Sequence, residues 1–113
     1  MTTANSRGKS FEYNILYKLR TLYPNAYRIP SSGASSNLKG DLRAGNFFIE
    51  CKKTMHNSYR LTNDLLKKTE SDAKDAKLIP AIVFSVKNTK PYIVLSLENF
   101  MELMKNGELK KTR

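Results

Sequence analysis

The segment from Asp41 to Lys52 constrains the fold more than any other part of this sequence. It reads as two short strands on either side of Gly45-Asn46, a dipeptide typical of two-residue hairpin turns. With those two residues in the turn, Asp41 lies opposite Glu50. Directly opposed side chains on antiparallel strands point to the same side of the sheet, with Cβ atoms about 4.5–5.5 Å apart. The hairpin is therefore predicted to set two carboxylates side by side.

Two adjacent carboxylates repel each other unless a positive charge neutralises them. Mg²⁺ is a hard ion that proteins hold through one or two carboxylates, with water and substrate phosphate completing its shell. Lys52 lies two residues after Glu50 and so shares its face, whereas Cys51 points to the opposite, apolar face. Carboxylates holding a metal, with a lysine that orients water or stabilises developing charge, suit phosphodiester hydrolysis. Each element alone is common on protein surfaces, so the prediction depends on their joint placement.

Hydrophobic periodicity and turn residues predict the remaining elements of a single domain, 1–113, with a flexible arm at 1–6 and a basic tail at 108–113. The order is one helix, three strands, a second helix, two strands and a short helix. The predicted ranges are helix 8–23, strands 27–29, 41–44 and 47–52, helix 61–77, strands 78–86 and 92–97, and helix 97–105. The side chains expected to face inward from the helices are Phe11, Ile15, Leu19, Leu22, Leu61, Leu65, Leu66, Phe100, Leu103 and Met104.

Charge is the first indication of a partner. The chain has 113 residues, and 20 Lys and Arg against 10 Asp and Glu give a formal net charge of +10. Such an excess favours a polyanion, most commonly nucleic acid. An anionic membrane surface is the rival, but no basic amphipathic helix with a broad apolar face stands out and no apolar run is long enough to span a bilayer. A merely soluble basic protein is the remaining alternative.

The expected location is the cytoplasm of a prokaryotic cell or of a virus-infected host cell. The single cysteine, Cys51, excludes an intrachain disulfide and fits a reducing compartment. The polar N-terminal residues do not resemble a signal peptide.

The spacing of Gly40-Asp41 and Glu50-Cys51-Lys52 resembles the signature of the PD-(D/E)xK nucleases, with Gly40 in place of the usual proline. Two flanking stretches resemble archaeal-type Holliday junction resolvases within that superfamily. They are Arg7-Gly8-Lys9-Ser10-Phe11-Glu12, a glycine before a helix that carries a glutamate, and Arg28-Ile29-Pro30-Ser31-Ser32-Gly33, which precedes the aspartate.

The resemblance implies an α/β fold with a restriction-endonuclease-like core, a central mixed sheet of about five strands flanked by helices. It implies that Asp41 and Glu50 bind Mg²⁺, for which Mn²⁺ would substitute, and that Lys52 is the catalytic base or charge stabiliser. Glu12 would complete the metal site, and Ser32 would lie near the scissile phosphate. From the residues alone, Glu12 is better interpreted as a glutamate near a helix N-terminus, favoured by the helix dipole, and Ser32 could be a plain loop serine. The resemblance further implies a homodimer that cleaves four-way DNA junctions.

Basic residues that flank the site in sequence are candidates for contacts to DNA phosphates, which position a substrate without reading its sequence. They are Arg7, Lys9, Arg28, Lys39, Lys53 and Arg60. The lysines of the second helix alternate with acidic residues, which is more typical of a solvated helix face.

Three other functions stay open. A nuclease of this superfamily could cut ordinary duplexes, nicks, flaps or single strands, since fold does not fix function. The chain could be a non-catalytic nucleic-acid-binding module with a degenerate nuclease fold. It could also act on RNA, which a preference for the 2′-hydroxyl would reveal.

Overall fold

The computed structural model describes residues 4–30 and 41–107, with side chains from residue 9 onward. Its helices and strands follow one another in the predicted order. They are α1 (Ala4–Leu19), β1 (Tyr27–Arg28), β2 (Asp41–Ala44), β3 (Phe47–Lys53), α2 (Asn63–Asp75), β4 (Ile79–Ser85), β5 (Tyr92–Val94) and α3 (Leu97–Asn106).

All five strands form one mixed sheet in the order β1-β2-β3-β4-β5. β3 and β4 are parallel, and the other neighbouring pairs are antiparallel. A parallel pair needs a long crossover connection, and α2 supplies it. The predicted α/β class and mixed sheet are therefore confirmed.

The two longer helices cover opposite faces of the sheet. Leu42, Ile49 and Cys51 share one face and form the main core with Phe11 and Ile15 of α1. The residues that alternate with these along the same strands point to the other face of the sheet, which α2 covers. This division decides which side chains can meet at the site.

The first helix lies earlier in the chain than predicted. It begins at Ala4, so residues 4–6 are helical rather than part of a flexible arm, and it ends at Leu19 rather than at Tyr23. The amides of Leu22 and Tyr23 both donate to the carbonyl of Leu19 in a tight turn. Pro24 disfavours helical geometry at the residue before it. Leu22 therefore leaves the apolar stripe and is 76% exposed, so its predicted inward position is wrong.

The second helix is shorter than the predicted range 61–77. The Thr62 hydroxyl accepts a hydrogen bond from the amide of Leu65 and caps the helix at its start. That cap sets the phase: Thr69 and Ala73 are buried, Leu65 is half-buried, and Leu66 is exposed. Leu61, which lies before the cap, is exposed as well, so two of the three predicted inward leucines are wrong.

The last strand is shorter and the last helix is less buried than predicted. β5 ends at Val94, and Ser96 then caps α3. Of the side chains predicted to face inward from α3, Leu103 is half-buried, whereas Phe100 and Met104 are exposed. No side chain of α3 is fully buried, because its apolar face is turned away from the rest of the described chain.

The hairpin turn has the predicted residues and a specific backbone. The backbone angle φ is 58° at Gly45 and is not positive at Asn46, which is the pattern of φ values in a type II′ turn. Tyr23 packs against this glycine so closely that a Cβ atom there would lie 2.6 Å from its ring. Gly45 is therefore needed both for its φ and for this contact.

Candidate active site

Two buried carboxylates form the centre of the site. The register of β2 and β3 is the one predicted from the turn, with Asp41 paired to Glu50 and Leu42 paired to Ile49. Asp41 is 6% exposed and Glu50 is 2% exposed. Since paired residues on antiparallel strands share a face, two acidic side chains lie next to each other with little solvent to screen them.

Lys52 lies beside this pair. Its Nζ is 3.3 Å from Oε2 of Glu50, and its side chain is 39% exposed. Cys51, between them in sequence, is buried on the opposite face in the core. The predicted separation of the hairpin into an acid, acid, lysine face and an apolar face is confirmed.

The carboxylate pair fits a hard divalent cation. Oε1 of Glu50 is buried and has no hydrogen-bond partner within the described part of the chain. Burying an incompletely satisfied carboxylate beside another acid is costly unless a positive ion shares the site. Among the described residues, however, no three His, Cys, Asp or Glu side chains are grouped closely enough to hold an ion by themselves. Asp41 and Glu50 would therefore need water or substrate oxygens to complete the shell, as Mg²⁺ prefers.

Glu12 is not brought into the carboxylate pair. It is buried on α1, and its Oε1 accepts a hydrogen bond of 2.6 Å from Nε of Arg28. Arg28 is the strand partner of Leu42, on the face that α1 covers. The structure thus places the predicted third metal ligand and one predicted phosphate contact in an ion pair with each other, and the metal role of Glu12 stays a prediction.

The charges of Glu12, Asp41 and Glu50 nevertheless all affect one buried group, the thiol of Cys51. Burial first, and then the charges of Glu12, Glu50 and Asp41, raise the pKa of the Cys51 thiol far above its ordinary value. The thiol therefore stays protonated and is not a nucleophile here.

A lysine that the sequence did not single out also borders the site. Nζ of Lys68, on α2, lies 3.9 Å from Oε1 of Glu50 and 3.1 Å from Oδ2 of Asp72. Burial on its own would lower the pKa of Lys68, but Asp72, Glu50 and Asp41 raise it on balance. Lys68 is therefore charged and belongs to the site, not to a purely solvated helix face.

Tyr59, in the segment between β3 and α2, lies close enough to Glu50 to feel its charge. Its ring stacks on Phe84 with centroids 5.9 Å apart. Burial, and then the charge of Glu50, raise the pKa of the Tyr59 hydroxyl, so it remains a hydrogen-bond donor at neutral pH. The spacing of residues along the sequence carries no signal for Tyr59 or Lys68, because neither shares a local element with Glu50.

The remaining predicted residues are spread around the site or lie outside the described ranges. Ser32 and Lys39 fall between residues 31 and 40, which are not described, and for Arg7 only the helical backbone is described. Lys9, Lys53 and Arg60 are exposed. Lys53 lies over the ring of Phe11, with Nζ 5.7 Å from its centroid, on the face that α1 covers.

Fold and site together define a class of protein. A five-stranded mixed sheet between helices, with an acid, acid, lysine set on the hairpin strands, is the restriction-endonuclease-like arrangement of the PD-(D/E)xK nucleases. A family model described as "Phage putative PDDEXK endonuclease" matches residues 3–113, and the chain belongs to this family. Comparison with curated proteins and with solved structures found no match. None of the described helices has the length and apolar character needed to cross a membrane.

Proposed function

We propose that this endonuclease is a Mg²⁺-dependent enzyme that cleaves four-way DNA junctions. The observation that carries the proposal is the buried Asp41–Glu50 pair with Lys52 at 3.3 Å, on one face of the hairpin. The formal charge of +10 supports a DNA substrate. The preference for junctions is supported by the resemblance of the stretches 7–12 and 28–33 to junction resolvases.

Each residue of the site would have a distinct role in catalysis. Asp41 and Glu50 would hold the cation, which supplies Lewis acidity at the phosphate and a lowered pKa for the attacking water. Lys52, ion-paired to Glu50 and part exposed, would orient the attacking water or stabilise negative charge as the phosphodiester bond breaks. The Glu12–Arg28 pair would hold α1 against the edge strand and so fix the face on which the hairpin packs.

The test compares a labelled four-way junction with a linear duplex of the same sequence, each with Mg²⁺, with Mn²⁺ and with a chelator. Paired cuts confined to the junction, dependent on the cation and lost in Asp41→Asn and Lys52→Met, are expected. A matched control is Lys87→Met, which removes the same charge from an exposed position on the turn after β4. Equal cleavage of both substrates would reject the junction preference and keep the nuclease. Tight binding without cleavage of any DNA would reject catalysis and indicate a binding module.

We also propose that two copies pair through an apolar surface at the β5 end of the sheet. Six side chains there, hereafter the α3 surface, are 40–71% exposed. They are Leu97, Phe100, Met101 and Met104 of α3, with Tyr92 and Ile93, which project from opposite faces of the edge strand β5. If a large side chain has about 200 Å² of surface, the four α3 side chains and either one of the two β5 side chains expose on the order of 540 Å² on one side. A stable interface buries about 800 Å² per partner, so the α3 surface would supply most of that area and its polar rim the rest.

The charge of α3 supports a protein partner for the α3 surface rather than DNA. α3 carries Glu98 and Glu102 against Lys105, so it is acidic in a strongly basic chain. Two copies related by a two-fold axis perpendicular to α3 would set their α3 helices antiparallel, with the acidic start of one beside Lys105 near the end of the other. A groove between α2 and β5, lined by Leu66 and Val94 among others, continues this surface.

Sedimentation equilibrium tests the pairing. A dimer is expected for the native chain, and a monomer for Met101→Glu. The matched control is Leu22→Glu, because Leu22 is an equally apolar residue that is 76% exposed at a distance from α3. A native monomer at every soluble concentration, or a dimer that Met101→Glu leaves intact, would reject this interface. A mixed assembly with another protein in place of a dimer would reject it as well.

A further inference from the structure

A lysine on α2 approaches the carboxylate pair from a different element than Lys52 does. Lys52 lies 3.3 Å from Oε2 of Glu50, and Lys68 lies 3.9 Å from Oε1 of the same carboxylate. Each oxygen of Glu50 thus faces a different ammonium group. The Lys68 side chain is 47% exposed, whereas that of Glu50 is 3% exposed. Lys68 can therefore reach a group arriving from solvent while its carboxylate neighbour stays fixed.

Asp72 holds Lys68 at this position. The distance from Nζ of Lys68 to Oδ2 of Asp72 is 3.1 Å, a hydrogen bond between residues one helical turn apart. The distance to Glu50 is beyond hydrogen-bond range, so that attraction is coulombic. Asp72, itself partly exposed, therefore holds Lys68 at the rim of the site. The N–H groups of Lys68 that do not donate to Asp72 make no hydrogen bond to Glu50.

Among the described residues of this cluster, the charges balance when one cation and one phosphate are both counted. Asp41, Glu50 and Asp72 contribute three negative charges, and Lys52 and Lys68 contribute two positive ones. One divalent cation changes the net charge from −1 to +1, and one phosphodiester group returns it to zero. Without Lys68, the described part of the site with cation and phosphodiester bound would carry a net charge of −1, which a partly buried site tolerates poorly.

We propose that Lys68 binds the DNA phosphate at the active site, donating to a non-bridging oxygen next to the bond that is cut, and that Asp72 is its positioning residue. This inference rests on the proposed nuclease function. Lys68 is a separate group from Lys52: it enters from the crossover helix, so it contacts the substrate from the α2 side of the site.

The test measures DNA affinity in Ca²⁺ and cleavage rate in Mg²⁺ for Lys68→Gln, Lys68→Arg and Asp72→Asn. The matched control is Lys74→Gln, an exposed lysine of the same helix. Lys68→Gln should weaken DNA binding about tenfold beyond the control, the effect of one lost charge-assisted hydrogen bond. Cleavage should fall by at least as much, and Lys68→Arg should retain most of both because its charge remains.

Asp72→Asn separates a substrate contact from a helix-stabilising pair. If Lys68 served only the pair with Asp72, both variants would lose equal affinity and their melting temperatures would fall together. We expect Asp72→Asn to lose less affinity than Lys68→Gln, since the ammonium group remains.

Equal affinity and rate for Lys68→Gln and Lys74→Gln would overturn the proposal. If the native chain cut no DNA with any cation, the proposed catalysis would fail. The binding comparison in Ca²⁺ would still decide the role of Lys68.

Discussion

Replacing Arg28 by methionine should destabilise the protein by about 2 kcal/mol, because it leaves the carboxylate of Glu12 buried without its guanidinium partner. The two groups are 2.6 Å apart, with Glu12 8% and Arg28 29% exposed in their side chains. Breaking a fully buried pair costs about 3–5 kcal/mol, and breaking an exposed pair costs about 0–1 kcal/mol. The partial exposure of Arg28 places this pair between those limits. Arg28 also lies over the ring of Tyr13, 5.8 Å from its centroid, and that contact would be lost too.

Urea unfolding followed by circular dichroism measures the effect, and a thermal scan should show a melting temperature lower by about 10 °C. The control is Arg43→Met, which removes the same charge from an exposed position on β2 and should change stability by less than about 0.5 kcal/mol. Adding Glu12→Gln to Arg28→Met should recover part of the loss by removing the buried charge. If Arg28→Met were no more destabilising than Arg43→Met, the reasoning from burial would be refuted.

Three further predictions concern the hairpin, a helix cap and the core thiol. Gly45→Ala should cost about 1–3 kcal/mol in urea unfolding, since alanine is strained at φ 58° and would collide with Tyr23; an unchanged midpoint would contradict the turn geometry. Thr62→Ala should cost about 1 kcal/mol by removing the cap of α2, whereas Thr62→Ser should cost less. Cys51 should resist a thiol reagent at pH 8 in the native state and react at once in urea, because burial raises its pKa and blocks access; equal rates in both states would exclude this account.

The register of the hairpin could be predicted to the residue because it is set by residues that are close together in the sequence. Two turn residues fix the register of β2 against β3, and the period of two along a strand fixes the faces. The positions of Asp41, Glu50 and Lys52 follow from those two rules alone.

The inward faces of the helices were predicted less well, because an apolar stripe in the sequence does not identify the element that packs against it. Leu66 and Phe100 fit a helical stripe in the sequence, yet both are exposed in the described chain. Thr69 is buried although only leucines of this helix were predicted to face inward. Its hydroxyl donates a hydrogen bond to the carbonyl of Leu65, so it needs no partner outside the helix. Lys68 could not be assigned to the site from the sequence, because the register of a helix against a sheet is set by tertiary packing.

Glu12 shows where resemblance and geometry give different answers for one residue. The resemblance makes it a metal ligand, whereas in the structure it pairs with Arg28 on the face that α1 covers. The two roles predict opposite responses to Mg²⁺. A ligand released from Arg28 would bind the cation more strongly, so Mg²⁺ should stabilise Arg28→Met more than it stabilises the native chain. A purely structural carboxylate would give both proteins the same gain from Mg²⁺, and the cation site would then consist of Asp41, Glu50 and oxygens from water or DNA. If DNA supplies some of those oxygens, DNA should also raise the affinity of the protein for the cation, whereas a shell completed by water alone would leave that affinity unchanged.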